Sequence, residues 1–203
     1  MTCQETVRKS IIQAAKERFL HYGYAKTTMA ELACDCKMSS GNLYRYFQGK
    51  LDIAEEIARD ASEETLKALR EVVRTPSMGA SDKLRAFLQK ALEFTYHMLE
   101  NDPRIYEMAA TISAERPEFA NDELAKHRAL IVEILSAGNN SGEFNIQDVV
   151  FAAEMIQSAT MKFKYPQLWS QLPLEGLRRE LTGVLDLILR GVTCRGDATV
   201  PAA

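Results

Sequence analysis

Between Thr27 and Leu51 the chain reads TTMAELACDCKMSSGNLYRYFQGKL, a stretch dense in side chains that bind rather than react. Ser39, Ser40, Asn42, Tyr44, Arg45, Tyr46 and Lys50 supply hydroxyl, amide, guanidinium and ammonium groups within twelve positions. If Ser39 to Phe47 is a helix, Asn42 lies near its N-terminal end and is short enough to meet a base edge in a DNA major groove, where asparagine pairs with adenine. Arg45 suits a guanine or a phosphate, and the sequence leaves both open.

Such groups need rigid elements behind them. Thr28 is placed to cap a first short helix, and Glu31 three residues on completes the capping-box spacing. Met29, Ala30, Leu32 and Ala33 line one face of it. Ser39 or Ser40 caps a second helix, with Leu43 and Phe47 one turn apart on its inner side. Helices this short are not stable alone in water, so a third must cover them. Gln4 to His21 is predicted to do so, closing Val7, Ile11, Ala15 and Phe19 over Leu32 and Leu43, with Gly23 as the stop. Arg8, Lys9 and Lys26 then remain available to phosphates or simply solvated. A capped short helix, a tight turn and a polar second helix is the helix-turn-helix pattern. By spacing alone, a plain helical hairpin in an all-α protein fits equally well.

The residues themselves carry more. Phe19, Gly23 and Tyr24, the pair Thr27-Thr28 with Met29, Glu31-Leu32-Ala33, then Ser39, Gly41, Leu43-Tyr44, Tyr46-Phe47 and Lys50-Leu51 stand in one register. This run resembles the DNA-binding domain of the TetR family of bacterial transcriptional regulators. The turn departs from the family pattern: Cys36 and Lys37 stand where alanine and glycine are usual, which removes a relaxed backbone position. The resemblance implies that Ser39 and Ser40 open the recognition helix, where a phosphate or base edge is met. It implies that Tyr44 and Tyr46 press on the DNA backbone and that Lys50 contacts a phosphate. Thr28 adds a phosphate contact while capping, or only caps. Leu43 and Phe47 are core.

Charge is divided along the chain. The whole carries a formal −3, but residues 1–50 hold eight Lys/Arg against four Asp/Glu, and the rest hold 17 against 24, so +4 faces −7. A small basic head on an acidic body suits a DNA-binding domain over about 1–50 joined to a different module over 51–203. Cys3, Cys34, Cys36 and Cys194 are not spaced as a disulfide framework, and Cys34 and Cys36 point about 200° apart on a helix, a poor metal pair. There is no phosphate-binding glycine loop, serine elbow or His-Glu zinc motif, so no enzyme, metal or cofactor is expected. An all-helical enzyme or a protein-interaction module fits the body but leaves the head unexplained. Without an 18-residue uncharged apolar window or a signal-peptide core, a cytoplasmic protein with no membrane partner is expected.

The body reads as helices throughout, giving an all-α chain of about nine. They are predicted over Leu51–Val73, from Ser81 or Asp82 to Asn101, after Pro103, from Pro117 to a stop at Ala137-Gly138, and over Val149–Phe163 and Leu174–Val192. Phe87, Phe94, Tyr96, Met98, Tyr106, Met108, Met155, Met161, Phe163 and Trp169 are large, adaptable side chains for a pocket taking an apolar or aromatic effector, or else ordinary core. His97 and His127 are polar contacts there or solvated. The last two helices are unusually apolar, and one of them could simply be the centre of the domain. By layout the resemblance implies a homodimer through Met155, Ile156, Leu177, Leu181, Val184, Leu185 and Ile188. It further implies a repressor, or an activator with the same head, that binds palindromic double-stranded operator DNA and is released by a small effector.

Overall fold

A computed structural model describes residues 3–101, 103–164, 166 and 171–193. They form an all-α protein. The helices are α1 (Cys3–Tyr22), α2 (Met29–Asp35), α3 (Ser40–Tyr44), α4 (Lys50–Val73), α5 (Ala80–Asn101), α6 (Pro103–Glu115), α7 (Pro117–Ser141), α8 (Val149–Ala159), α9 (Met161–Lys164) and α10 (Leu174–Val192). The chain packs as two units, Met1–Thr65 with His97–Leu124, and Leu66–Tyr96 with Ala125–Ala203. Helices α4, α5 and α7 each contribute residues to both.

In the first unit, the four-residue spacing of Ile11, Ala15 and Phe19 puts one stripe of α1 inward, where all three are buried with Leu32, Ala33, Leu43, Phe47, Ile53 and Ile57. Each large side chain so covered contributes about 1.5–3 kcal/mol. Met108 and Ile112 of α6 complete this core, so the head draws on more than its first 50 residues. Polar contacts fasten α6 in place. Arg104 donates to the carbonyls of Leu20 and His21 at the end of α1, and Ala25 N–H donates to Glu107 at 3.3 Å. Arg116, just past α6, pairs with Asp52 and, at 2.5 Å, with Glu55 on α4.

In the second unit, Leu177, Leu181, Leu185 and Leu189 repeat every four residues along α10 and form a buried ridge. They join Leu66, Leu84, Phe87, Ile131, Ile134, Phe144, Ala153, Ile156 and Phe163 in one core. This corrects four of the dimer assignments. Ile156, Leu177, Leu181 and Leu185 are at most 4% exposed and therefore belong to the chain's own interior.

Three helix ends also differ from expectation. Helix α7 continues through Gly138 to Ser141, and Gly142, at φ +76, is the residue in the left-handed region. Gly138 serves packing instead. A Cβ there would lie 2.1 Å from the Phe144 ring and 2.9 Å from Ala80 Cβ. The loop that follows is held by Asn139, whose amide exchanges two hydrogen bonds with the Ile146 backbone at 2.7 and 3.0 Å. Glu143 in the same loop accepts from Ala80 N–H and Ser81 N–H, at 2.7 and 2.9 Å, and so caps α5. The predicted helix to Phe163 breaks at Thr160, a buried residue whose hydroxyl turns back to the Ile156 carbonyl at 2.8 Å. Finally, α3 ends at Tyr44, leaving Tyr46 and Phe47 beyond it.

Candidate nucleic-acid interface

The two short helices are built as their spacing requires. Thr28 Oγ1 accepts from Glu31 N–H at 3.3 Å, and the Glu31 carboxylate accepts from Thr28 N–H at 2.8 Å, closing the capping box. The Thr28 hydroxyl, its backbone N–H and nearby Arg18 hold the Glu31 carboxyl below its ordinary pKa. Ser39 is the cap of α3, accepting from Asn42 N–H at 3.2 Å. Leu43 and Phe47 are buried as expected, anchoring a helix of only five residues from both sides of its inner face.

The turn between the helices follows a defined hydrogen-bond pattern. Met38 N–H donates to the Ala33 carbonyl at 2.9 Å and Lys37 N–H to the Cys34 carbonyl at 2.9 Å, the 6→1 and 5→2 bonds of a Schellman motif. That motif needs a left-handed residue after the cap. Lys37 takes the position, at φ +53, where glycine would do so freely. A side chain there costs about 1 kcal/mol. The departure from the family pattern at Cys36-Lys37 therefore changes the residue at this corner and not the corner's geometry.

Ser39, Ser40, Gly41, Tyr44 and Arg45 form the exposed side of α3 and its ends, and Thr28 is exposed at the start of α2. Asn42 and Tyr46 are partly buried, with the Asn42 amide 4.0 Å from Met38 Sδ. Lys50 is committed elsewhere. Its ammonium donates to the carbonyls of Tyr24, Ala25 and Thr27 at 2.8, 3.3 and 2.8 Å, and stands 4.4 Å from the Tyr24 ring centre. Arg8, expected to be available to phosphates, also fastens the scaffold. It donates to the Tyr46 carbonyl at 2.9 Å, pairs with Glu56 at 2.6 Å and lies over the Phe47 ring. Arg18 pairs with Asp35 and Glu31, and its hydrogen bond to Asp35 lowers that carboxyl's pKa. Sequence reading missed Lys37 as a feature of this face, although its place in a glycine position was the available signal.

The proposed pocket residues do not share one environment. Phe87 and Phe163 are buried in the core of the second unit, with Tyr96 packed against it, whereas Met108 is buried in the core of the first. Phe94, Met98 and Met155 are exposed at about two-fifths of their surface, and Met161 is partly buried. Trp169 and the side chain of Tyr106 lie outside the described residues. His97 is exposed, 3.6 Å from Glu100. His127 is partly buried, and loss of water contact, with help from Lys164, lowers its pKa to about 3. Cys34 is exposed; Cys36 is partly buried, and that burial raises its thiol pKa. Among the described residues, no cluster of His, Cys, Asp or Glu is arranged to hold a metal ion, and no helix is long and apolar enough to cross a membrane.

On the α8 and α10 surfaces, Val150, Phe151, Met155 and Leu187 are 61, 57, 43 and 73% exposed. Val184 and Ile188 are partly buried against the core.

A capped helix-turn-helix followed by a helical body defines a class, the transcription regulators with a DNA-binding head. The family model described as bacterial regulatory proteins of the tetR family matches residues 11–57, and the tetracyclin repressor-like C-terminal domain matches residues 80–185. The chain belongs to the TetR family of bacterial transcriptional regulators. Among curated relatives, it is 26% identical over 139 residues to the HTH-type transcriptional repressor KstR2 of Mycolicibacterium smegmatis, spanning 68% of this chain and 67% of that one. Among solved structures, it is similar to a TetR-family regulator of Mesorhizobium loti, with TM-score 0.74 at 15% identity over 96% of this chain and 100% of the other. It is also similar to SmeT, the repressor of a Stenotrophomonas maltophilia multidrug efflux pump, with TM-score 0.67 at 19% identity over 97% and 94%. The ketosteroid transcriptional regulator KstR2 of Mycobacterium tuberculosis superposes with TM-score 0.56 at 22% identity over 93% and 95%. At these identities the structural likenesses establish the fold.

Proposed function

We propose that the protein is a repressor that binds a palindromic operator as a homodimer and is released by a small apolar or aromatic effector. The observation that carries this reading is the outward face of α3, where Ser39, Ser40, Tyr44 and Arg45 stand exposed on a helix capped and anchored from behind. Ser39 and Ser40 lie at the N-terminal end, where hydroxyls and free backbone N–H groups meet phosphates and base edges. Asn42 reads a base, Tyr44 and Tyr46 press on the sugar-phosphate chain, and Thr28 adds a contact from the start of α2. Arg45, at the far end of α3, takes a guanine or a phosphate.

Two heads reading successive major grooves must stand about 34–36 Å apart, which calls for a second copy. The surface that suits it is the exposed apolar set Val150, Phe151, Met155 and Leu187, bordered by Val184 and Ile188. The effector class is supported by the kinship with regulators whose names include a ketosteroid regulator. Regulation of the opposite sign uses the same head, and promoter position separates the two.

The test is binding of the purified protein to a palindromic duplex from the region upstream of its own gene, over a salt series and with excess scrambled duplex. Tight binding that survives the competitor and weakens steeply with salt is expected. Absence of any preference for the palindrome, with or without candidate effectors, would overturn the reading.

A further inference from the structure

Lys37 occupies the corner of the helix-turn-helix in the left-handed conformation, at φ +53, and among the described residues no other non-glycine residue has a positive φ. Its side chain is exposed, and no hydrogen bond or ion pair within the described residues accounts for a lysine at that corner. A backbone conformation that disfavours side chains, filled by a long cation with no partner in the chain, points to a partner outside it.

The position narrows what that partner is. Lys37 lies two residues before Ser39, the cap of α3, so it stands beside the start of the recognition helix. Three of the head's other cations are held internally, while Lys9, Lys16 and Lys26 are exposed on α1 and the loop after it. Arg8 is bound to Glu56 and the Tyr46 carbonyl, Arg18 to Asp35 and Glu31, and Lys50 to three carbonyls. Lys37 and Arg45 are the exposed cations at the two ends of α3. An ammonium on a flexible four-carbon stem is a point charge, suited to a phosphate and poorly suited to two-point reading of a base.

We propose that Lys37 is a DNA-anchoring residue: its ammonium neutralises one backbone phosphate beside the N-terminal end of α3. The inference rests on the operator-binding reading and adds a contact to it. The contact sets the position of the recognition helix along the duplex and is blind to sequence.

Lys37→Gly makes a sharp test because it relaxes the backbone while deleting the charge. The full-length protein is compared with Lys37→Gly, Lys37→Asn, which also tolerates the left-handed region, and Lys37→Arg, on the upstream palindrome and a scrambled duplex between about 0.05 and 0.5 M salt. For Lys37→Gly the thermal midpoint rises by about 2 °C. Affinity of the dimer for both duplexes falls by a common factor of about 60 at 0.1 M salt, and the slope of log affinity against log salt loses about 1.8, the share of two phosphates, one per protomer. Lys37→Asn follows it in affinity and slope, and Lys37→Arg keeps both. Unchanged affinity and slope in the glycine and asparagine variants would overturn the proposal, leaving the lysine as tolerated strain. A loss confined to the palindrome would overturn it too, by making Lys37 a base reader. If the wild-type protein binds neither duplex in a salt-dependent way, the operator-binding reading fails and this inference falls with it.

Discussion

Lys50→Met removes the charge at the start of α4 but keeps a stem of similar length and apolar character. The lost interactions are specific: bonds of 2.8 Å to the partly buried Tyr24 and Thr27 carbonyls, a longer one to Ala25, and the stand of the ammonium near the Tyr24 ring. A hydrogen bond from a charged donor contributes about 1.5–3 kcal/mol when dry, and partial exposure here brings each short one to roughly 1 kcal/mol. The cation–π contact adds about 0.5 kcal/mol. The expected destabilisation is therefore about 2–3 kcal/mol, read by urea denaturation followed by circular dichroism. All three N–H donors of the ammonium are used within the chain, so a phosphate gains nothing from it without breaking one of those bonds. Salt-series DNA binding should then show a slope unchanged from wild type, with any affinity loss arising from a looser loop between α1 and α2. Unchanged stability together with a slope reduced by about 1.8, one phosphate from each protomer, would refute this reasoning and return Lys50 to the phosphate role that resemblance implies.

Gly138→Ala should destabilise the second unit by about 1–3 kcal/mol despite alanine's better helix propensity, because the new methyl meets the buried Phe144 ring; equilibrium denaturation measures it. Phe151→Asp places a charge in the exposed apolar set of α8 and should shift the protein from dimer to monomer in analytical ultracentrifugation, with little change in helicity; a persistent dimer removes that face from the interface. His127 has a folded-state pKa of about 3, below the 6.5 of an unfolded chain, so the unfolded state takes up the proton first. Its contribution to stability is intact above about pH 6.5 and is lost as pH falls toward about 3, at up to roughly 1.4 kcal/mol per pH unit. Denaturation midpoints of wild type and His127→Gln across that window should differ in slope, and parallel curves would show that the ring's protonation is not linked to folding.

How much of this was readable in the sequence depends on the range over which each feature is decided. The capping box at Thr28 and Glu31, the Ser39 cap and the stripe of Ile11, Ala15 and Phe19 are set by residues three or four apart, and all stand where the spacing puts them. Gly138 misled because glycine ends helices and also admits close neighbours, and only the Phe144 ring six residues away separates the two uses. Leu177, Leu181 and Leu185 of α10 misled for a similar reason. An apolar stripe says that something covers it, and whether the cover is α5, α7 and α8 of the same chain or a second copy is a tertiary fact.

Charge is where the distance between composition and surface is greatest. The first 50 residues hold eight cations, and the +4 they leave over is what first set the head apart. Counting treats those cations as equal. Once Arg8, Arg18 and Lys50 are bound to carboxylates and carbonyls, they fix the angles among α1, the α2–α3 pair and the start of α4, and their charge is largely answered within the head. A salt-sensitive association depends instead on cations that can exchange their counterions for phosphates, a property of freedom and place. On that criterion the resemblance selects Lys50, which the structure binds, and passes over Lys37, which it leaves exposed. The salt slope of the wild-type protein should thus draw on the exposed cations of the head, Lys37 and Arg45 around α3 among them, with Lys50 contributing through the shape of the loop it holds.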